Sequence, residues 1–177
     1  MSGLPGSGKS CLSRELARQL GALRWDKDEL RELLFPAAVV KHERVLNDFC
    51  METLYAAARC GLEHASLSVP IVILDGRPFT EKRQRTRAVQ AAGQAGANIA
   101  FILCVAPLVV LRQRIASDRH IAPDRNEALL DRLVAAWEPF DGDEILVDTS
   151  ALSPGEAALR CINELEIRRL VDSGSYS

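Results

Sequence analysis

Residues 3–10 of the chain read GLPGSGKS. The stretch fits the pattern G-x-x-x-x-G-K-[ST], which forms a loop between a buried strand and a helix. Its glycines permit backbone conformations with positive φ, so that several N–H groups can turn toward one anion. The helix that follows directs the positive end of its dipole at the same point. The stretch therefore predicts a phosphate-binding loop.

The side chains of this loop have separate predicted roles. Lys9 places a positive charge on the β- and γ-phosphate oxygens, and the hydroxyl of Ser10 can coordinate Mg²⁺. A random chain of this length matches the pattern in roughly one case per hundred or fewer, and here the match also opens an amphipathic helix. We expect the following residues to contact a bound nucleotide, with ATP as the cofactor: Gly3, Pro5, Gly6, Ser7, Gly8, Lys9, Ser10 and Cys11.

Helical patterns alternate with short apolar runs along the whole chain. The spacing predicts helices at 9–20, 27–35, 39–64, 80–95, 107–118, 126–140 and 154–170, and strands at 22–25, 71–74, 99–105 and 145–147. This alternation is typical of an α/β fold with a mostly parallel sheet, here the three-layer sandwich of P-loop NTPases.

The strand that should precede the loop is the exception to this pattern. Only Met1 and Ser2 come before Gly3. We therefore expect the first strand to be missing, and an in-frame apolar stretch of about five residues in the upstream coding DNA would support this expectation.

Length and composition restrict the class of protein. With 177 residues, 47% hydrophobic and 26% charged, the chain is expected to form a single domain over residues 1–170, with a loose tail at 171–177. The net charge of -2 argues against a general nucleic-acid-coating role. Five cysteines without Cys-x-x-Cys pairs and the lack of a long apolar run predict a cytoplasmic protein with no membrane segment. We expect it to be a monomer or homodimer.

An acidic residue ends the clearest apolar run. Asp75 follows four aliphatic residues at 71–74, which places a carboxylate where it can hold Mg²⁺ and its waters. The pair Asp75 and Gly76 is also typical of a turn, and both interpretations can hold together. Arg77 follows on the side where a second substrate would bind. Most of the basic cluster at 82–87 is expected to be solvated charge.

Four segments together resemble small P-loop kinases. They are residues 3–10, residues 25–31 (WDKDELR), residues 73–77 (ILDGR) and the arginine-rich segment 114–125. Their order is similar to that in adenylylsulfate kinase, the 5′-hydroxyl polynucleotide kinase domain and zeta-toxin-like kinases, and nearly the whole chain is covered. The closest likeness is to bacterial adenylylsulfate-kinase-like proteins. The resemblance implies transfer of the γ-phosphoryl group of ATP, with Mg²⁺, to a hydroxyl of a small anionic acceptor.

The resemblance also assigns roles to two residues in the second segment. Asp28 would accept the proton of the acceptor hydroxyl, and Arg31 would hold an acceptor phosphate or another anion. Structural explanations remain open, because an acid is favourable in a first helical turn and Arg31 could simply pair with it. Asp26 is in turn a candidate N-cap.

In the kinases that the chain resembles, the arginine-rich segment is a lid, here about residues 117–126. Arg114 would stack on adenine, and Arg119 would reach the transferring phosphates. The alternative is an exposed, charged helix end. Two other functions stay open: a 5′-hydroxyl polynucleotide kinase, for which the net charge gives no support, and a non-catalytic ATP-binding regulatory module.

Overall fold

The computed structural model describes residues 1–36, 44–64, 71–117 and 126–171. Within these ranges the helices are α1 (Lys9–Leu20), α2 (Lys27–Leu34), α3 (Arg44–Glu63), α4 (Lys82–Gln94), α5 (Leu108–Ser117), α6 (Glu127–Ala135) and α7 (Pro154–Ile167). The strands are β1 (Leu23–Asp26), β2 (Val72–Asp75), β3 (Ile102–Val105) and β4 (Ile145–Asp148). The predicted α/β class is confirmed.

The strands form two parallel pairs, and the first residues of the chain lie between them. β1 pairs with β2, and β3 pairs with β4. Ser2 forms an isolated parallel bridge with Leu103, and the amino group of Met1 donates to the Leu74 carbonyl at 2.8 Å. The spatial order is therefore β1, β2, residues 1–3, β3, β4. Within residues 1–36 the segment before the loop forms this single bridge.

Helices cover both faces of this arrangement and give it three layers. On one face, α1 and α7 bury aliphatic side chains against β3 and β4, including Leu12, Leu16, Val147 and Ile162. On the other face, α3 and α4 bury a second cluster, to which Met51, Tyr55, Phe79 and Ala88 belong. The buried apolar side chains of these four helices therefore form the core.

Several predicted elements are longer than the observed ones. The strand predicted at 99–105 begins at Ile102, and the helix predicted at 126–140 ends at Ala135. Beyond Ala135 the chain bends toward α4, because the N–H of Glu138 donates to the Thr80 carbonyl at 2.9 Å. The predicted start of the third helix at residue 39 lies outside the described residues.

Arg85 is buried, so the expectation that most of the cluster at 82–87 is solvated is wrong for this residue. Only 6% of it is exposed. Its guanidinium donates to the carbonyls of Phe79, Glu138 and Pro139, and it lies 4.3 Å from the centroid of the Phe140 ring. These hydrogen bonds fix residues 136–140 in their non-helical path.

The last helix begins with a capping box. The Ser153 hydroxyl accepts from the Glu156 N–H, and the Glu156 carboxylate accepts from the Ser153 N–H. We expect Ser153→Ala to lower the free energy of unfolding by about 1 kcal/mol, because one N–H at the helix start loses its partner. Urea denaturation followed by circular dichroism measures the change. Ser153→Asp should retain most of the stability, and equal losses in both variants would contradict the capping role.

Candidate active site

The phosphate-binding loop has the backbone that its glycines allow. Gly6 and Gly8 have φ angles of 79° and 78°. A Cβ atom on Gly6 would lie 2.8 Å from the Leu111 carbonyl oxygen of α5, so a side chain does not fit there. Because both positions combine positive φ with close neighbours, the loop conformation depends on glycine.

Lys9 closes this loop over its own backbone. Its Nζ donates to the carbonyls of Gly3 and Leu4 at 2.7 and 2.9 Å. The ammonium is therefore held at the mouth of the loop, ahead of the first turn of α1. A cation in this place can contact phosphate oxygens bound by the loop.

Asp75 is at the centre of a hydrogen-bond network at the carboxyl ends of β1 and β2. Its Oδ2 accepts from the Ser13 hydroxyl at 2.7 Å and from Nη2 of Arg24 at 3.2 Å, and its Oδ1 accepts from the Gly76 N–H at 2.7 Å. Arg24 also pairs with Asp26 at 2.6 Å. One guanidinium thus compensates two buried carboxyl groups.

The pKa values of Asp26 and Asp75 shift in opposite directions from their ordinary value. Burial raises the pKa of Asp26, and the nearby Asp75 carboxylate raises it further. Burial also acts to raise the pKa of Asp75, but the Met1 amino group, the Ser13 hydroxyl and other nearby donors outweigh this effect and lower it to about 2. Asp75 is therefore ionised at neutral pH.

The chemistry of Ser10 and Asp75 suits a divalent cation that arrives with a nucleotide. Ser10 lies in the first turn of α1, and Ser13, one turn later, contacts Asp75. Among the described residues there is no cluster of three or more His, Cys, Asp or Glu side chains that could hold a metal. Mg²⁺ commonly needs only one or two protein ligands, since phosphates and waters complete its shell.

Asp28 lies beside the loop, at the wall of a cavity of about 370 Å³ that Lys9 also lines. The first turn of α2 positions it, because the Asp26 carboxylate caps that helix by accepting from the Asp28 N–H at 2.8 Å. Lys27 approaches the Asp28 carboxylate at 2.6 Å and donates to the side-chain oxygen of Asn47 at 3.0 Å. The side chains of Asp28 and Lys9 therefore line the same cavity.

The charged residues that line this cavity are mainly cationic. Arg77 is predominantly buried and pairs with Asp48 at 2.5 Å, and Arg44 pairs with Glu81 at 2.8 Å. The lining includes five cationic residues, Lys9, Lys27, Arg44, Arg77 and Arg132, and two acidic ones, Asp28 and Glu81. A larger cavity of about 540 Å³ lies at the opposite, amino ends of the strands and is lined mainly by apolar side chains.

Arg31 lies behind Asp28 rather than in the cavity lining. It is 1% exposed, and its Nε is 4.0 Å from the Asp28 carboxylate. Its Nε and Nη2 have no hydrogen-bond partner among the described residues. The structure therefore brings Asp28, Arg77 and Lys9 together at the cavity and leaves Arg31 one turn deeper.

Arg114 contacts the phosphate-binding loop itself. Its guanidinium donates to the Gly6 carbonyl and to both oxygens of Thr149. Arg119 and most of the expected lid, residues 118–125, lie outside the described residues. Cys11 is exposed in the first turn of α1.

Several residues of the site escaped the sequence analysis, notably Ser13, Arg24, Lys27, Asn47 and Thr149. Two of them carried a usable signal. Lys27 is the neighbour of Asp28, and Thr149 follows the last strand, whose carboxyl end belongs to the edge where ligands bind in parallel sheets. The others depend on contacts between elements that are far apart in the chain.

Comparison with known proteins agrees with this geometry. A family model described as an AAA domain matches residues 1–140. The fold is similar to that of a sugar kinase from Janibacter sp., with a TM-score of 0.68 at 18% identity over 94% of this chain and 92% of that one. It is also similar to Chaetomium thermophilum Kti12 in complex with ADP-AlF3, with a TM-score of 0.68 at 20% identity over 96% and 97% of the two chains.

A third similar structure is APS kinase from Mycobacterium tuberculosis in complex with AMPPNP and APS. Its TM-score is 0.65 at 20% identity, over 93% of this chain and 94% of that one. A search of curated protein sequences gave no match. Within the described ranges, no helix is long and apolar enough to cross a membrane. The P-loop NTPase fold predicted from the sequence is confirmed.

The low pKa of Asp75 gives a testable pH dependence. The folded-state pKa is about 2 against an ordinary value of 3.8, so the ionised carboxylate stabilises the fold above about pH 4, and this contribution is lost as the pH falls toward 2. We expect the stability difference between the wild type and Asp75→Asn to shrink by about 2 kcal/mol between pH 5 and pH 2. Urea denaturation at several pH values measures it, and a constant difference would contradict the assignment.

Proposed function

Because the chain belongs to the AAA domain family, we propose that it is a kinase that transfers the γ-phosphoryl group of ATP to a hydroxyl of a small anionic acceptor. One observation carries the proposal. Lys9 of the phosphate-binding loop and Asp28 of α2 line the same cavity of about 370 Å³. This volume suits a small molecule. The cavity has a cation, Lys9, for the phosphates of the donor and a carboxylate, Asp28, for the hydroxyl of the acceptor.

In this proposal the loop and α2 perform different tasks. The loop N–H groups and Lys9 hold the β- and γ-phosphates and offset the charge that develops on them. The Asp28 carboxylate accepts the proton of the acceptor hydroxyl and orients its oxygen toward the γ-phosphorus. Lys27 and the Asp26 cap hold Asp28 in place, so that little reorganisation is needed when the acceptor binds.

Mg²⁺ would be held by the Ser10 hydroxyl and, through water, by Asp75. When bound, it would neutralise charge on the β- and γ-phosphate oxygens. Asp75 suits this task because its low pKa keeps it ionised and because Ser13 and Arg24 fix its orientation.

The charges around the cavity support an anionic acceptor. Lys27, Arg77 and Arg132 are candidates for its anionic group, since all three line the cavity beside Asp28. Arg77 pairs with Asp48, which is 40% exposed, so an acceptor anion can share or displace this partner. The structure of the similar APS kinase contains APS, and a molecule of this class is one candidate acceptor here.

A radiolabelled-ATP screen tests the proposal and identifies the acceptor. Candidates are adenylylsulfate, nucleosides, phosphorylated and neutral sugars, antibiotics and oligonucleotides with a 5′-hydroxyl. Labelling of a small anion supports the proposal, whereas labelling of oligonucleotides alone favours a polynucleotide kinase. ATP binding without transfer to any candidate would favour a non-catalytic module.

The role of Asp28 predicts a specific kinetic phenotype. We expect Asp28→Asn to lower kcat by about 100- to 10,000-fold, because proton transfer is lost, while the Kd for ATP stays within a factor of about two. Lys9→Ala should instead remove both ATP binding and transfer. Glu29→Gln is the matched control, since Glu29 is the next residue of α2 and lies outside the cavity lining. Normal turnover of Asp28→Asn would rule out the general-base assignment.

The cationic residues of the cavity predict an effect on acceptor binding but not on ATP binding. We expect Arg77→Met to raise the KM for an anionic acceptor by about tenfold, the size of one lost hydrogen bond to a charged group, and to leave the KM for ATP unchanged. Arg87→Met is the control, because Arg87 pairs with Glu52 outside the cavity. Steady-state kinetics separates the two KM values, and an equal rise in both would contradict an acceptor role.

A further inference from the structure

Thr149, the residue after β4, is attached to the sheet by its backbone. Its N–H donates to the Val105 carbonyl at 3.0 Å. This bond continues the pairing of β3 with β4, in which Val105 lies opposite Asp148. Thr149 is therefore held at the carboxyl end of the sheet independently of its side chain.

The side chain of Thr149 reaches the phosphate-binding loop. Its Oγ1 lies 2.9 Å from the Ser7 carbonyl oxygen, to which it donates, and 3.0 Å from Nη1 of Arg114, from which it accepts. A Cβ atom on Gly8 would lie 3.3 Å from Cβ of Thr149. The threonine thus packs directly against the turn of the loop that leads into α1.

Arg114 links this threonine to a second peptide of the loop. Its Nη1 donates to the Gly6 carbonyl at 3.2 Å, and its Nη2 donates to the Thr149 carbonyl at 2.9 Å. The arginine comes from α5, whose Leu111 and Ile115 pack with the loop residue Leu4. The guanidinium is therefore fixed between the loop, α5 and the end of β4.

The bond to the Ser7 carbonyl determines where one loop N–H group points. In a trans peptide the carbonyl and the next N–H point in opposite directions. Holding the Ser7 carbonyl toward Thr149 therefore holds the Gly8 N–H on the side away from Thr149. An anion-binding loop works only if such N–H groups stay oriented before the anion arrives, and glycines alone leave them mobile.

We propose that Arg114 and Thr149 form one network of positioning residues that holds the phosphate-binding loop in its anion-binding conformation. The role differs from adenine stacking, which the sequence resemblance implied for Arg114. A stacking arginine affects only ligands with a base. A positioning arginine affects every ligand that the loop binds through phosphate, including one with no base.

Calorimetric titration with Mg-ATP and with inorganic Mg-tripolyphosphate distinguishes the two roles. We expect Arg114→Met and Thr149→Val each to weaken both ligands by about tenfold, as for one lost charge-assisted hydrogen bond. The double variant should lose little more than either single one, because the two residues share one network. Thr149→Ser should restore binding because it keeps the hydroxyl.

Hydrogen exchange of the ligand-free protein gives a second, local measurement. Exchange in residues 3–10 should become severalfold faster in Arg114→Met and Thr149→Val, with exchange in α3 unchanged. Arg112→Met is the control for the arginine, since Arg112 is on the same helix but pairs with Glu127 and Asp131. Ser150→Ala is the control for the threonine, because the Ser150 hydroxyl bonds to Asp148.

Three results would overturn the proposal. The first is weaker ATP binding with unchanged tripolyphosphate binding in Arg114→Met, which would assign the arginine to the base. The second is additive losses in the double variant. The third is unchanged exchange in residues 3–10. All these measurements read phosphate binding and loop order, so they stay informative even if no acceptor is ever phosphorylated.

Discussion

The hydrogen bonds of Ser2 are the constraint on which the rest of the structure depends. Its N–H donates to Ile102 and its carbonyl accepts from Cys104, at 2.8 and 2.9 Å. Together with the bond from Met1 to Leu74, these contacts join two strand pairs into one parallel arrangement. These contacts also place Gly3 in the middle of the sheet, at the edge formed by the carboxyl ends of the strands. The phosphate-binding loop therefore begins at the edge where ligands bind in parallel sheets.

Two carboxyl groups lie close together at this edge, and few cations compensate their charge. Two carboxyl groups, Asp26 and Asp75, end neighbouring strands directly opposite each other. Burial and mutual repulsion raise the pKa of one, while the donors around the other keep it ionised. Arg24, donating to both, limits the cost of bringing them together. Asp26 caps α2, and Asp75 remains ionised for the metal role that we propose.

The sequence predicted those parts of the site whose signals are local. The loop and α1 depend on residues within a few positions of one another. The support around the loop could not be predicted in the same way, because Arg24 reaches Asp75 across 51 positions and Thr149 reaches Ser7 across 142. The early end of α6 has a similar cause, since the pattern continues to residue 140 but contacts with Arg85 and Thr80 redirect the chain.

The first turn of α2 shows how a sequence motif can mislead about contacts. Asp28 and Arg31 are three positions apart and do share a helix face, but the arginine extends into the interior. There its positive charge works to lower the pKa of the Cys50 thiol, but the larger, opposite effect of burial outweighs it. Lys27 instead lies at the cavity wall, so in the proposed reaction we expect Lys27 rather than Arg31 to contact the acceptor and to determine selectivity.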